Sequence, residues 1–243
     1  MKHAMVVVAA VFMTVTMSCG TAERGVSVNF DDSVHAFTDA ERKVIANIAD
    51  STFDEVRALL PALAKSVTLD VASGTQVIPE TGELGAATAP GRIAWIVDAG
   101  RPGGVEAIAK MWLRATLFHE MHHVARGYVM NGGAPPRSFM DGVVSEGLAT
   151  AFQRDAAGAD VPWATYPDEV ELWVDELRSL PLHAPYPDWM FQHPDGRRWI
   201  GYRAGTYIAD RAIAASGRSA ADLVGTPAAE ILALAGVDVT KRL

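Results

Sequence analysis

The spacing of apolar residues at the start of the chain predicts a short strand followed by a long helix. Residues 26–30, VSVNF, alternate between apolar and polar side chains, as in a strand with one buried face. From residue 39 to about residue 60, apolar side chains recur at helical intervals, at Val44, Ile45, Ile48, Val56 and Leu59. Thr38 and Glu41 have the spacing of a capping box, so we expect the helix to begin just after Thr38.

Two further strand-like runs follow this helix. They are SVTLDVA at about 66–72 and GRIAWIVDA at about 91–99, separated by a stretch rich in Gly, Pro and Thr at 74–90. The second run is apolar on both faces. This pattern favours a strand buried inside a sheet or beneath a helix over a strand with one wet face.

The second half of the chain has helical periodicity. Residues 105–126 contain no helix breaker and carry an apolar stripe, formed by Ile108, Met111, Trp112, Ala115 and Phe118. After a Gly- and Pro-rich loop at 131–138, Asp141 is expected to cap a second helix at 142–156. The same periodicity recurs at about 168–180, 198–216 and 226–235, whereas residues 180–196 are predicted to form a loop. Strands followed by helices predict an α+β fold.

Charge argues against nucleic acid as a partner. The formal net charge is −8, the sequence pI is near 5.3, and Lys and Arg do not cluster anywhere along the chain. A protein that binds a phosphate backbone usually carries a basic patch.

The first 18 residues are typical of a secretory signal. Lys2 precedes an apolar run at 4–17, which is shorter than the roughly 20 residues that a membrane-spanning helix needs. Cys19, the only cysteine, stands where a bacterial lipoprotein signal carries its acylated cysteine, with Thr16 in place of the usual aliphatic residue. We expect a cell-envelope lipoprotein, with ordinary cleavage and secretion as the alternative. A tether at 19–25 would then precede a single domain at 26–243, whose oligomeric state the sequence does not indicate.

The sequence HEMHH contains the motif HExxH within the predicted helix at 105–126. His119 and His123 are four residues apart, so both imidazoles project from one face and can share a zinc ion. Glu120 lies beside the first ligand, where its carboxylate can act as a general base without binding the metal. Zinc lowers the pKa of its water to roughly 7, which makes proton transfer to such a base feasible. The alternative is a polar helix face without metal.

A catalytic zinc needs a third protein ligand and an open position. The extended motif HExxHxxGxxH would require Gly and His where Arg126 and Val129 stand, so the third ligand must come from elsewhere. Glu146, on the next predicted helix, is the best candidate, and Gly147 and Ala149 would let that helix approach closely. The alternative for Glu146 is a solvated helix carboxylate.

Three segments resemble a bacterial family of predicted zinc-dependent proteases, a family of unknown function within the gluzincin group. They are HEMHHVAR at 119–126, SEGLA at 145–149 and GYRAG at 201–205. Members pair HExxH with a downstream Glu in an EGLA-like segment and carry a later GYxxG helix, and the similarity spans roughly residues 105–215. One departure is Thr206, because the family often has an aromatic residue directly after the later Gly.

Hydrolysis through an oxyanion benefits from a second hydrogen-bond donor, commonly Tyr, His or Arg. Tyr202, in the GYxxG segment, is our candidate, with a buried core tyrosine as the alternative. His183 and His193 could serve instead or bind substrate. We expect Arg126 to pair with an acidic neighbour, and Asp141 to be an N-cap rather than a partner of a ligand His. His122 is turned about 100° from His123, which suggests a supporting or surface role.

These inferences predict a zincin-like α+β domain, with a small mixed sheet packed on the HExxH helix and a mainly helical C-terminal half. An edge strand within 84–99 would pair with an extended peptide substrate. The predicted function is a zinc metallopeptidase with one Zn²⁺ bound by His119, His123 and Glu146. The alternatives are a zinc hydrolase that acts on other substrates and a zinc-binding lipoprotein module without turnover.

Overall fold

The computed structural model describes residues 25–238, which form a four-stranded mixed sheet and eight α-helices. The predicted signal at 1–18, Cys19 and most of the predicted tether lie outside the described residues. The strands are β1 (Gly25–Asp31), β2 (Ser66–Ser73), β3 (Glu83–Ala89) and β4 (Arg92–Val97). Their order in the sheet is β1-β2-β4-β3, with β3 antiparallel to β4 and the other neighbours parallel. This sheet confirms the predicted α+β, zincin-like fold.

Strand β3 lies at an edge of the sheet, within the segment where we expected the edge strand. Its sequence, ELGAATA, falls in the stretch rich in Gly, Pro and Thr that separates the two strand-like runs, and its short side chains have little strand propensity. The turn to β4 places Gly91 at φ +71°, a conformation that L side chains rarely adopt. Pairing with β4 therefore forms a strand that the local pattern does not predict.

The sheet has one well-buried face. Along β4, Ile93, Trp95 and Val97 are fully buried, whereas Ala94 and Ile96 are only half-buried. Helices α1 and α3, whose bounds follow, pack against the sheet. β4 is an interior strand of the sheet, as its apolar pattern favoured, and within residues 25–238 its second face is less deeply buried than its first.

Helices surround the buried face and make up most of the C-terminal half. They are α1 (Asp39–Leu59), α2 (Gly104–Ile108), α3 (Arg114–Arg126), α4 (Phe139–Ala157), α5 (Val170–Arg178), α6 (Tyr186–Met190), α7 (Ile200–Ser216) and α8 (Ala228–Leu234). The capping box of Thr38 and Glu41 is present at the start of α1, as predicted. The short α6 lies in the segment predicted to be a loop. None of the helices in residues 25–238 is long and apolar enough to cross a membrane.

The predicted helix at 105–126 contains a π-helical segment, Ala109–Leu113, between α2 and α3. A π turn holds an extra residue and therefore shifts the face that the following side chains occupy. Met111, which we placed on the apolar stripe, is 69% exposed, and Leu113 and Leu117 are buried instead. The prediction of a regular stripe is wrong at this position, although Ala115 and Phe118 are buried as expected.

Helix α4 begins after Ser138 and not after Asp141. Ser138 is the N-cap, and Asp141 occupies the third helical position of its capping box. The Asp141 carboxylate accepts hydrogen bonds from the backbone N–H groups of Ser138, at 2.9 Å, and Arg137. Asp141 therefore stabilises the start of α4, but from inside the helix, and the N-cap prediction was displaced by three residues.

Candidate metal centre

His119 and His123 from α3 meet Glu146 from α4 in a compact triangle. Their Nε2 atoms are 3.0 Å apart, and each lies 3.1 Å from Oε2 of Glu146. All three side chains are buried. The structure thus brings together the three residues predicted as ligands and forms a group that could hold a metal ion.

The dimensions of the triangle fit a tetrahedral ion. Zinc bonds of about 2.0–2.1 Å in tetrahedral geometry separate neighbouring ligand atoms by about 3.3 Å. The observed separations of 3.0–3.1 Å are close to this value. Two imidazoles and one carboxylate are also a donor set used by catalytic zinc sites, which keep a further position open.

The charges of the neighbouring side chains favour the ionised form of Glu146 in the triangle. Burial by itself raises the pKa of Glu146, but the neighbouring imidazoles of His123 and His119 outweigh burial and lower it. For His119, burial lowers the pKa, whereas Glu146 and Glu120 raise it more strongly. The site thus stabilises an anionic Glu146 and attracts a cation.

Glu120 lies next to the triangle without being part of it. Its carboxylate is buried and lines a cavity that also includes His119. Burial raises the pKa of Glu120, and the imidazoles of His119 and His123 only partly offset this effect. A carboxylate with a raised pKa close to a candidate metal centre is suited to accept a proton.

Strand β3 approaches Glu120 closely because position 85 is a glycine. A Cβ atom at Gly85 would lie 2.4 Å from Cγ2 of Thr116 and 2.9 Å from Cγ of Glu120. Such distances are impossible between real side chains, so a larger residue would push the strand away from α3. Gly85 therefore sets the distance between the edge strand and the candidate base.

Two glycines bring α7 against α4. A Cβ atom at Gly147 would lie 2.0 Å from the backbone carbonyl of Gly205, so the two helices are in direct backbone contact. Gly147 follows Glu146, and Gly205 lies one turn after Tyr202. We expected Gly147 to allow approach to the HExxH helix, which is wrong, because the close contact is with α7. This contact holds the EGLA and GYxxG segments together.

Tyr202 reaches the site as a result of this helix contact. Its ring centroid is 6.3 Å from that of His119, and it lines the same cavity as Glu120. Burial and the charge of Glu146 raise the pKa of Tyr202 well above its ordinary value, so the hydroxyl stays protonated and can donate a hydrogen bond. Thr206, the departure from the family pattern, is fully buried and donates its hydroxyl to the Tyr202 carbonyl at 2.9 Å.

Tyr186 is a site residue that sequence reasoning missed. Its hydroxyl donates a hydrogen bond of 3.0 Å to Oε1 of Glu146, the oxygen that does not contact the two imidazoles. Tyr128 is also close, with its ring 5.2 Å from that of His123. The segment around Tyr186 has no periodicity or motif, so no signal in the sequence points to this contact.

The other residues considered from sequence lie away from the triangle. His183 is exposed, and Nδ1 of His193 lies 2.8 Å from Asp195. His122 is completely buried, with Nε2 3.3 Å from the Ala220 carbonyl oxygen, so the predicted surface position is wrong.

Arg126 was expected to pair with an acidic residue. It instead donates to the carbonyl oxygens of Val224 and Thr226, at 2.9 and 2.8 Å, and to Ser145 Oγ at 3.1 Å. This expectation is wrong because the C-terminal turn offers carbonyl acceptors at this position. Arg126 thus ties the end of α3 to α4 and to the turn before α8.

Comparison with known proteins agrees with the family resemblance. No curated protein and no solved structure matches the chain. A family model described as "Predicted Zn-dependent protease (DUF2268)" matches residues 42–233, which include α3, α4 and α7 with all the residues of the triangle and Tyr202. The match covers most of the chain, and the protein therefore belongs to this family of predicted zinc-dependent proteases.

Proposed function

We propose that the protein is a zinc-dependent peptidase, with His119, His123 and Glu146 as the metal ligands and Glu120 as the general base. The observation that carries this proposal is the buried Glu120 carboxylate beside the His–His–Glu triangle, facing a cavity at the edge of the sheet. When bound, zinc supplies a Lewis acid that polarises the substrate carbonyl and acidifies water.

Glu120 would move one proton during the reaction. It accepts the proton of a water molecule in the cavity as the water oxygen attacks the carbonyl carbon of the peptide bond. It then delivers that proton to the amide nitrogen as the C–N bond breaks, which leaves a carboxyl group and an amine. The raised pKa of Glu120 favours the first transfer, because a more basic carboxylate holds the proton better.

Tyr202 would stabilise the oxyanion that forms on the carbonyl oxygen. Its hydroxyl is protonated and its ring borders the cavity next to His119. A neutral donor fixed in a buried site can hydrogen-bond a developing negative charge without reorganisation. This role explains why the contact between Gly147 and Gly205 holds α7 so close to α4.

The outer edge of β3 would bind one residue of an extended substrate at Gly85, between positions that loops already occupy. In an antiparallel strand, the N–H and C=O groups of one residue point to the same side, and successive residues point to alternate sides. The carbonyls of Glu83 and Ala87 bond to the loop N–H groups of Ile78 and Met130, so these positions point away from β4. Gly85 lies between them and points the same way, and within residues 25–238 no loop backbone bonds to it. A peptide strand added there would pass directly over Glu120.

Cleavage of a mixed peptide library by the zinc-loaded protein, read by mass spectrometry, tests the proposal. Cleavage should stop with a chelator and return with zinc. Glu120→Gln should lower kcat/KM by about 10²- to 10⁴-fold while zinc content is unchanged. The control is Glu106→Gln in α2, which changes an exposed carboxylate paired with Lys110 and should keep full activity.

Other outcomes would overturn the peptidase proposal in distinct ways. Stoichiometric zinc with no cleavage of peptides or esters would identify a zinc-binding module. Cleavage of esters but not peptides would identify a hydrolase of another class. Equal activity of Glu120→Gln and the native protein would remove Glu120 as the base.

A further inference from the structure

A buried glutamine, Gln153, lies beside the candidate metal centre and has no part in the proposed mechanism. It is on α4, two turns after Glu146, so the helix that supplies a metal ligand also supplies this amide. Gln153 is only 3% exposed and lines the same cavity as His119. Because a buried amide is costly unless it is hydrogen-bonded, the partner of Gln153 is informative.

The His119 imidazole has one nitrogen in the triangle and one outside it. Nε2 lies 3.0 Å from Nε2 of His123 and 3.1 Å from Oε2 of Glu146. Nδ1 is buried, and no backbone carbonyl or carboxylate within residues 25–238 accepts a hydrogen bond from it. The nitrogen that is left for a partner outside the triangle is therefore Nδ1.

The acceptor atom of Gln153 complements this nitrogen. Its Oε1 atom is buried, and no backbone N–H group within the described residues donates to it. Burial lowers the pKa of His119, and a side-chain hydrogen bond with Gln153 is among the interactions that raise it. Because Nε2 faces the triangle, Nδ1 is the nitrogen that can donate to Oε1 of Gln153.

A hydrogen bond at Nδ1 determines which nitrogen of a neutral imidazole can bind a metal. Neutral imidazole carries its proton on one ring nitrogen and a lone pair on the other. An acceptor that holds the proton on Nδ1 leaves the lone pair on Nε2, the atom of His119 that faces the triangle. Histidines that bind metals usually donate their other ring N–H to a protein acceptor, which fixes the ring and makes it a more basic ligand.

One other side chain of α4 offers an oxygen on this part of the helix. Thr150, one turn after Glu146, is fully buried, and its Oγ1 atom has no hydrogen-bond partner among the described residues. Unlike Gln153, however, Thr150 does not line the cavity that includes His119. Gln153 is therefore the better acceptor, and Thr150 provides a matched control on the same helix.

We propose that Gln153 is a positioning residue for the metal ligand His119: its Oε1 atom accepts a hydrogen bond from Nδ1–H and thereby directs Nε2 toward the zinc. The inference rests on the proposed metal ligands of the peptidase and adds a residue that acts on the metal through His119. Gln153 thus supports His119 as the Tyr186 hydroxyl supports Glu146.

The zinc affinities of three variants test this role. Gln153→Met keeps the length of the side chain but removes the amide acceptor, so zinc affinity should fall by about 10- to 100-fold. Gln153→Glu keeps an acceptor oxygen and should retain the native affinity or exceed it. Thr150→Val removes a buried hydroxyl without changing the shape of the side chain and should leave zinc affinity unchanged. Competition with a metal-binding dye measures the affinity, and circular dichroism checks the folding of each variant.

The ring nitrogen of His119 provides a readout that packing alone would not change. With histidine labelled at its ring nitrogens, NMR of the zinc-loaded protein should show a Nδ1–H signal protected from exchange with water. Its absence in His119→Gln assigns this signal to His119. In Gln153→Met the proton should exchange faster and its signal should move upfield, because the acceptor is gone, whereas Gln153→Glu should keep it protected.

Other results would contradict the role of Gln153. Native zinc affinity and an unchanged His119 signal in Gln153→Met overturn the inference, and equal losses in Gln153→Met and Gln153→Glu show an effect of packing in place of the acceptor. Loss of affinity in Thr150→Val but not in Gln153→Met places the acceptor at Thr150.

Failure of this inference can be distinguished from failure of the proposed function. If the native protein binds no zinc, both fail together. Zinc binding that depends on Gln153 without cleavage of any peptide removes the peptidase function and keeps the role of Gln153. Cleavage of peptides by a protein whose zinc affinity is insensitive to Gln153→Met removes only this inference.

Discussion

The two sides of helix α3 place histidines in opposite chemical environments. On one side, His119 and His123 face the Glu146 carboxylate at 3.1 Å, and His119 borders a cavity. On the other side, His122 is just as deeply buried but faces the Ala220 carbonyl and the ring of Phe152. Burial and the neighbouring His123 lower the pKa of His122 well below its ordinary value, so it is neutral.

This difference shows that burial of a histidine does not by itself indicate a metal site. His122 has one carbonyl partner and apolar neighbours, so it contributes to packing between α3 and the C-terminal turn. The Nε2 atoms of His119 and His123 lie within 3.1 Å of one another and of the Glu146 carboxylate. This close approach of three acceptor atoms is unfavourable unless a proton or a cation lies between them. Substitutions on the two sides of α3 should therefore have different effects on zinc binding.

The largest effect is expected when the carboxylate that faces His119 and His123 is neutralised. Glu146→Gln removes the anionic ligand but keeps its size, so zinc affinity should fall by more than about 100-fold, beyond the usual cost of losing a supporting residue. Competition with a metal-binding dye measures this affinity. An unchanged zinc affinity in a folded Glu146→Gln protein would show that Glu146 is not a ligand.

Tyr202→Phe should lower kcat but leave zinc binding unchanged. It removes the proposed oxyanion donor, and kcat should fall by about 10²- to 10³-fold while KM changes little. Zinc content should equal that of the native protein. A Tyr202→Phe protein with native kcat would leave Tyr202 as a packing residue of the aromatic group with Trp163 and Trp199.

Tyr186→Phe should produce a smaller change, and only in the affinity for zinc. The Tyr186 hydroxyl holds Oε1 of Glu146, and the loss of such a supporting hydrogen bond typically costs about 10- to 100-fold in metal affinity. At saturating zinc, kcat should recover toward the native value. If kcat stays low under saturating zinc, Tyr186 contacts the reacting groups and does more than position Glu146.

His122→Gln should produce the smallest functional change. It disturbs the hydrogen bond to Ala220 in a buried site, so we expect a loss of about 1–3 kcal/mol in the free energy of unfolding. Zinc content and kcat/KM should be unchanged at a temperature where the protein is folded. Loss of zinc from a stably folded His122→Gln protein would erase the distinction between the two sides of α3.

Sequence spacing predicted the parts of the site that depend on local geometry. Two histidines four residues apart on a helix share a face whatever the rest of the fold does, and Glu146 was found because it lies in a recognisable segment. The pairing of Gly147 with Gly205 was not predicted, since both glycines have several possible partners. Tyr186 was missed because its contact with Glu146 joins segments 40 residues apart and follows no periodicity.

The remaining errors have similar physical causes. The residues of β3 have short side chains, and their pairing with β4 makes them a strand. The π-helical segment inserts an extra residue that the pattern of apolar residues does not reveal, which is why Met111 was misplaced.

The most direct test of the account is the metal content of the purified protein compared with two histidine variants. The native protein and His122→Gln should each contain one zinc per chain, whereas His119→Gln should contain little or none after dialysis against a weak chelator. Elemental analysis of the three folded proteins, with folding checked by circular dichroism, gives the answer. Equal zinc in all three, or no zinc in the native protein after zinc is supplied, would contradict the assignment of this face of α3 as a metal centre.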